Sequence, residues 1–197
     1  MRKTANAAGL GYGAFALTLW MNSMPQAGWF GTSAHYALLA TLTAVLGGGV
    51  LGLAGILQWC RGNTIDTLLF IGFAAYWVIA ALVLVPYGPA HVAAASGFLG
   101  WYDLVWALLA FCVWIAAWYA GVGRMLFALG VCASLLATAI GHWTGISGAA
   151  ELGGYFGLVT AVVGIYICAA TLINAARGSM VLPLGPSGSD PQSGPPA

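Results

Sequence analysis

The strongest constraint on this chain is how little charge it carries over long stretches. Six apolar runs, roughly 7–29, 36–60, 65–86, 98–120, 125–146 and 150–175, each reach the length a helix needs to cross a bilayer, about 20 residues. Charged residues make up 5% of the 197, whereas a soluble domain carries about 25%. A chain of this kind cannot cover its own surface with polar groups, so the bilayer is its solvent. The fold class that follows is an all-α membrane protein with six transmembrane helices per protomer. The net charge of +1 leaves no basic patch with which to hold nucleic acid.

The basic residues fix a direction. Arg2 and Lys3 precede the first run, Arg61 separates the second from the third, Arg124 the fourth from the fifth, and Arg177 follows the sixth. All five fall on alternate connections, so the positive-inside rule places both termini in the cytoplasm of an inner (plasma) membrane protein. The start "MRK" before an apolar run also has the form of a signal peptide, but no A-x-A site follows cleanly. Residues 1–185 form the six-span domain, and 186–197, "PSGSDPQSGPPA", is a Pro/Gly/Ser-rich tail expected to be disordered. Cys60, Cys112, Cys132 and Cys168 have no paired spacing and read as small apolar residues, not as a metal site. No cofactor is implied.

Residues three and four apart share a helix face. On that basis Gly11, Phe15, Thr18 and Asn22 form one narrow stripe on the first span. Val131, Ser134, Thr138 and His142 form another on the fifth. Gly48, Gly52, Gly55 and Gln58 on the second span, and Gly157, Thr160, Gly164, Thr171 and Asn174 on the sixth, read mainly as packing. Asn22 and His142 need water or a partner at membrane depth, which a water-filled path supplies. No lysine or arginine lies within a run. A path would therefore use neutral donors and helix ends, suited to binding weak enough to release.

The segment "ANAAGLGYGAF" places Asn6, Ala8, Leu10, Gly11 and Phe15 on the pattern N-P-A-P-L-G-L-x-x-F. "RGNT" at 61–64, "FAAYW" at 73–77, "FLGWYDLVW" at 98–106 and "NAARGSMVLPLG" at 174–185 follow in order. Together they make the chain resemble the acetate uptake transporters, also called succinate–acetate permeases, over about residues 5 to 185. The resemblance implies a pore within each protomer, assembly as a homohexamer in the lipid bilayer, and passage of small carboxylates (acetate, in some members succinate) with or without protons. It also implies a pore constriction at Phe73, Phe98 and Val131. The path is expected to run past Asn6, Leu10, Gly11, Phe15, Thr18, Asn22, Ser134, Thr138 and His142. Departures are Ala7 and Gly9 for the signature prolines, Gln58 for an inner-end glutamate, Asp103 for an apolar residue, and His142 for asparagine. The glycine-rich start of the first span is expected to leave helix N–H groups free to face an anion.

His35, His91 and His142 fall on or near the outer face, and three on one rim do not make a bis-histidine haem site. Asp66 and Glu151 read as charges at the starts of the third and sixth spans. Asp103 lies inside the fourth span. An ionised carboxylate there must be paired, hydrated or neutralised. It lies ~140° around the helix from Phe98. With Phe98 in the pore it points away, toward a Trp, Tyr or backbone donor of a neighbouring helix or subunit. No nucleophilic or paired-carboxylate constellation suggests an enzyme. Two alternatives remain: a channel for a neutral solute or ammonia, and a non-transporting membrane subunit of a complex.

Overall fold

A backbone in hydrocarbon must satisfy its own hydrogen bonds, and a helix does so within one segment. In the computed structural model every long element is helical. The structure describes residues 6–30, 36–94 and 96–185, with the side chains of residues 36 and 83–94 excepted. The expected tail 186–197, Arg2, Lys3, His35 and the side chain of His91 lie outside the described residues. The elements are α1 (Ala8–Gln26), α2 (Tyr36–Leu42), a π-helical segment (Thr43–Val50), α3 (Leu51–Cys60), α4 (Thr64–Ala94), α5 (Ser96–Ala117), α6 (Val122–Thr144) and α7 (Ser147–Arg177). The second through fourth of these form one continuous rod, so six rods result.

Five rods are long and apolar enough to cross a membrane among the described residues: Ala37–Cys60, Thr64–Leu82, Ser96–Ala117, Val122–Thr144 and Ser147–Arg177. The chain is an integral membrane protein. α1, the first expected span, has 19 residues but not the apolarity. Its neighbours explain this. α1 packs along α7 and touches the π-helical segment, α3 and α4, so protein rather than lipid covers much of it.

The loose start of α1 turns out to be a matter of space. Gly9 and Gly13 face α7, where an added Cβ would lie 3.3 Å from Thr171 Cγ2 and 3.0 Å from Cys168 Sγ. Gly11 lies against the Phe70 ring with no room for a Cβ. One of the N–H groups at this start is already taken, because the Asn6 side-chain oxygen accepts from Ala8 N–H at 3.0 Å. The π-helical segment holds Gly47, Gly48 and Gly49. A Cβ on Gly47 would meet Trp77 Cβ at 2.7 Å and Thr18 Cγ2 at 2.8 Å, and one on Gly48 would meet Val78 at 2.6 Å. Close approach of small residues replaces hydrophobic driving force as the source of helix association in lipid. α7 repeats the device: Gly154 faces Ala27, Gly157 faces Ser23, and Gly164 faces Ala16 and Phe127.

After α7 the chain turns at Gly178, whose φ of 68° suits a residue without Cβ. The following segment is stitched back onto the bundle. Asn174 donates to Leu182 O and accepts from the N–H groups of Val181 and Leu182, Tyr166 donates to Pro183 O, and Gly123 N–H donates to Leu184 O.

Candidate functional site: a path between α1, α4 and α6

The backbones of α4 and α6 do not pack closely among the described residues, and α5 lies against both. Side chains therefore fill the space between α1, α4 and α6. At mid-bundle they are aromatic. Tyr12 meets Phe70 and Phe127 edge-on, with ring centroids 5.1 and 5.2 Å apart. Phe15 meets Phe73 at 5.1 Å and Phe127 at 5.0 Å. All five rings are buried, as is Val131 beside them. Edge-to-face pairs of this kind add about 0.5–1.5 kcal/mol each beyond area burial. The middle of the path is thus a dry plug.

A cavity of about 140 Å³ stands on one side of the plug, floored by Phe15, Phe73 and Val131. Its polar wall comes from Asn22, Ser23 and Gln26 of α1, Tyr76 of α4, and Ser134 and Thr138 of α6. These groups are neutral and braced. Asn22 donates to Thr18 O and to Thr43 Oγ1, both at 2.9 Å. Ser134 donates to Gly153 O at 2.7 Å, Thr138 to Ser134 O at 2.8 Å, and Gln26 to Thr138 Oγ1.

On the other side lies the end that carries Arg61, Arg124 and Arg177. There the Tyr12 hydroxyl leaves the aromatic cluster and donates to Asp66 Oδ1 at 3.0 Å. Asp66 is fully buried and also accepts from Asn63 Nδ2 at 2.7 Å and Arg124 Nη2 at 3.2 Å. Gln58, buried where a glutamate was expected, donates to Asn6 Oδ1 at 3.2 Å. A second cavity, about 290 Å³, opens here between Asn6, Arg124, Ile167, Thr171, Asn174 and Leu184, with Ala120 and Ala175.

The structure sorts the expected residues. Phe15, Phe73, Asn22, Val131, Ser134 and Thr138 meet at the first cavity, and Asn6 lines the second. Phe98 is 75% exposed and does not line the cavity with Phe73 and Val131, whereas Phe15 lies beside Phe73 there. Leu10 is exposed, Gly11 is packed under Phe70, and Thr18 is buried against Gly47 with its hydroxyl on Ala14 O. His142 lies off the cavity, its Nε2 3.5 Å from Asp103 Oδ2.

The Asp103 geometry has its direction reversed. Phe98 points out, so Asp103, ~140° away, points in. It is 4% exposed and accepts from the Tyr76 hydroxyl at 3.3 Å. A tyrosine donor from a neighbouring helix was the expected partner. Two of the departures from the family pattern, Asp103 and His142, touch one another.

Sequence reasoning missed Tyr12, Ser23, Gln26, Tyr76 and Arg124. The lining face of α1 is Phe15, Leu19, Asn22 and Gln26, the same i, i+4, i+7, i+11 spacing shifted one turn from the stripe that began at Gly11. Arg124 was assigned to a connection. It sits in the first turn of α6, reaches inward to Asp66 and lines the second cavity.

The chain and its fold are similar to known proteins. The chain is 27% identical over 188 residues to the succinate-acetate/proton symporter SatP of Escherichia coli (strain K12), covering 94% of this chain and 97% of that one. It is 27% identical over 173 residues to the accumulation of dyads protein 2 of Saccharomyces cerevisiae, covering 84% and 60%. Its fold matches a solved structure of the bacterial acetate channel SatP with a TM-score of 0.84 and 23% identity, over 93% of this chain and all of that one. The profile of the GPR1/FUN34/yaaH family matches residues 1–186, so these six rods, whose spans are legible in the apolar runs, belong to a member of the GPR1/FUN34/yaaH family.

Proposed function

We propose that the protein passes acetate and similar short carboxylates through the path between α1, α4 and α6, and that it transports rather than catalyses. The observation that carries this reading is the presence of two cavities within one protomer, one walled by Phe15, Phe73 and Val131 of the aromatic plug and the other lined by Asn6 and Arg124. Neutral donors in the first cavity can hold a carboxylate without trapping it, and an apolar constriction gates by excluding water until a solute enters. The naming of SatP relatives as a succinate-acetate/proton symporter and as an acetate channel supports the substrate class. Passage of succinate, accompaniment by protons, a homohexameric assembly, and an orientation with both termini in the cytoplasm of the inner membrane are parts of the same proposal. The gate assigned here is Phe15, Phe73 and Val131, with Phe98 left out. The substrate path includes Asn6, Asn22, Ser134 and Thr138.

The test is flux of labelled acetate into liposomes carrying the purified protein. Saturable acetate flux above empty liposomes is expected. No acetate flux, with urea or ammonia permeating instead, would replace this reading with a neutral-solute channel.

A further inference from the structure

The second cavity differs from the first in holding a cation, and that cation is only partly engaged. Arg124 donates through Nη1 to Ala120 O at 3.0 Å and through Nη2 to Asp66 at 3.2 Å. A guanidinium has five N–H donors in a planar fork, and its tightest carboxylate pairing is bidentate. Here only Asp66 Oδ2 is reached, and that oxygen is shared with Asn63. The other oxygen accepts from Tyr12. Arg124 Nε is buried with no partner among the described residues, while the side chain as a whole is 30% exposed and lines the cavity.

Asn6 lines the same space. Its oxygen accepts from Ala8 N–H and Gln58 Nε2, which turns its amide NH₂ away from both. That NH₂ has no acceptor among the described residues. A cavity with an incompletely paired guanidinium and an unused amide donor suits a small carboxylate.

Resting on the transport reading, we infer that this cavity is a carboxylate-binding station in which Arg124 holds the substrate's anionic group, Asn6 donates a second hydrogen bond, and Asp66 is the resident counter-ion that keeps binding weak. A lone buried arginine would trap an anion. An arginine that already faces Asp66 presents a reduced positive field, so an arriving carboxylate binds and leaves. Tyr12 ties this station to the plug, because its hydroxyl holds Asp66 while its ring packs on Phe70 and Phe127.

The alternative is that Arg124 only neutralises Asp66. The two roles separate in equilibrium binding of labelled acetate to the detergent-solubilised protein, with acetamide as a neutral isostere. Asp66→Asn removes the competing charge, so acetate should bind about tenfold more tightly, the equivalent of ~1.4 kcal/mol, while acetamide is unchanged. Asp66→Asn combined with Arg124→Gln removes both charges, leaves no unpaired ion, and should weaken acetate binding below that of the parent. Acetate affinity in Asp66→Asn equal to the parent's would overturn the assignment. So would parent-like affinity in the double variant. If the double variant does not fold, Asp66→Asn decides alone. Binding is read without transport, so intact binding with no liposome flux would remove the transport reading and leave the station standing.

Discussion

α1 and α5 are both buried in the same bilayer, yet they face different surroundings and carry opposite chemistry. α1 lacks the apolarity of a spanning helix, and it hides Tyr12, Phe15, Thr18 and Ser23 among the elements packed around it. α5 has that apolarity and turns Phe98, Trp101, Val105 and Leu108 outward, burying only a narrow line that includes Gly100, Asp103, Ala107 and Ala110. In lipid, apolarity marks the face that no other helix covers. A helix wrapped by protein is free to carry Asn22, Ser23 and Gln26, because its neighbours supply their partners. The largest apolar side chains of α5 therefore say little about the path, and the modest ones of α1 say much.

The comparison can be broken most directly at two phenylalanines. Phe15→Ala should open the plug, raise leak and cost about 3–5 kcal/mol of stability, the range for a buried Phe. Phe98→Ala should leave both the leak and the protomer's stability near the parent's. Paired leak assays in liposomes and thermal melts in detergent check this, and equal effects at both positions would end the distinction. The next contrast is between glycines. Gly11→Ala forces a Cβ into the Phe70 ring and should cost about 1–3 kcal/mol. Gly97, near the start of α5, has nothing within 4 Å of an added Cβ among the described residues, so Gly97→Ala should melt like the parent.

Asp103 sharpens the comparison, since it gives α5 a buried acid that meets Tyr76 and His142. Asp103→Leu leaves the Tyr76 hydroxyl without its acceptor and should cost about 1–3 kcal/mol. Asp103→Asn keeps an acceptor and should retain most stability and most flux. Abolished flux in a folded Asp103→Asn protein would instead mean that the carboxylate itself serves transport. The smallest effect belongs to Thr18→Val. The Thr18 hydroxyl is turned back to Ala14 O and does not face a cavity, so acetate flux should stay within about twofold of the parent, under ~0.5 kcal/mol. A large loss of flux would return Thr18 to the path.

The stripe on α1 was legible in its spacing but not in its phase. Periodicity identifies residues that share a face, and Phe15 and Asn22 do share one. It does not say which neighbour that face meets, so Thr18 was read as lining and Gln26 was passed over. On α6, Val131, Ser134 and Thr138 were legible because they continue one face into the cavity. His142 continues the same spacing, but it lies near the end of α6, where Asp103 of α5 takes it. Arg124 could not be read from spacing at all. A basic residue one turn into a helix looks like a boundary marker until the buried acid that draws it inward is located.

The chain's composition and order by themselves determined a six-rod helical protein in a bilayer, because helices of ~20 apolar residues with self-satisfied backbones have few other options. They also marked Gly48, Gly55, Gly157 and Gly164 as packing positions, though not Gly9, Gly11 and Gly13, since small residues are what lets helices approach in lipid. The tertiary structure alone decided which side chains share the path. The plug of Phe15, Phe73 and Val131, the pairing of Arg124 with Asp66, and the contact of Asp103 with His142 each join residues from different rods. Such contacts depend on how each rod is rotated against its neighbours. That rotation is set by the summed packing of all the interfaces, which no single stretch of sequence contains.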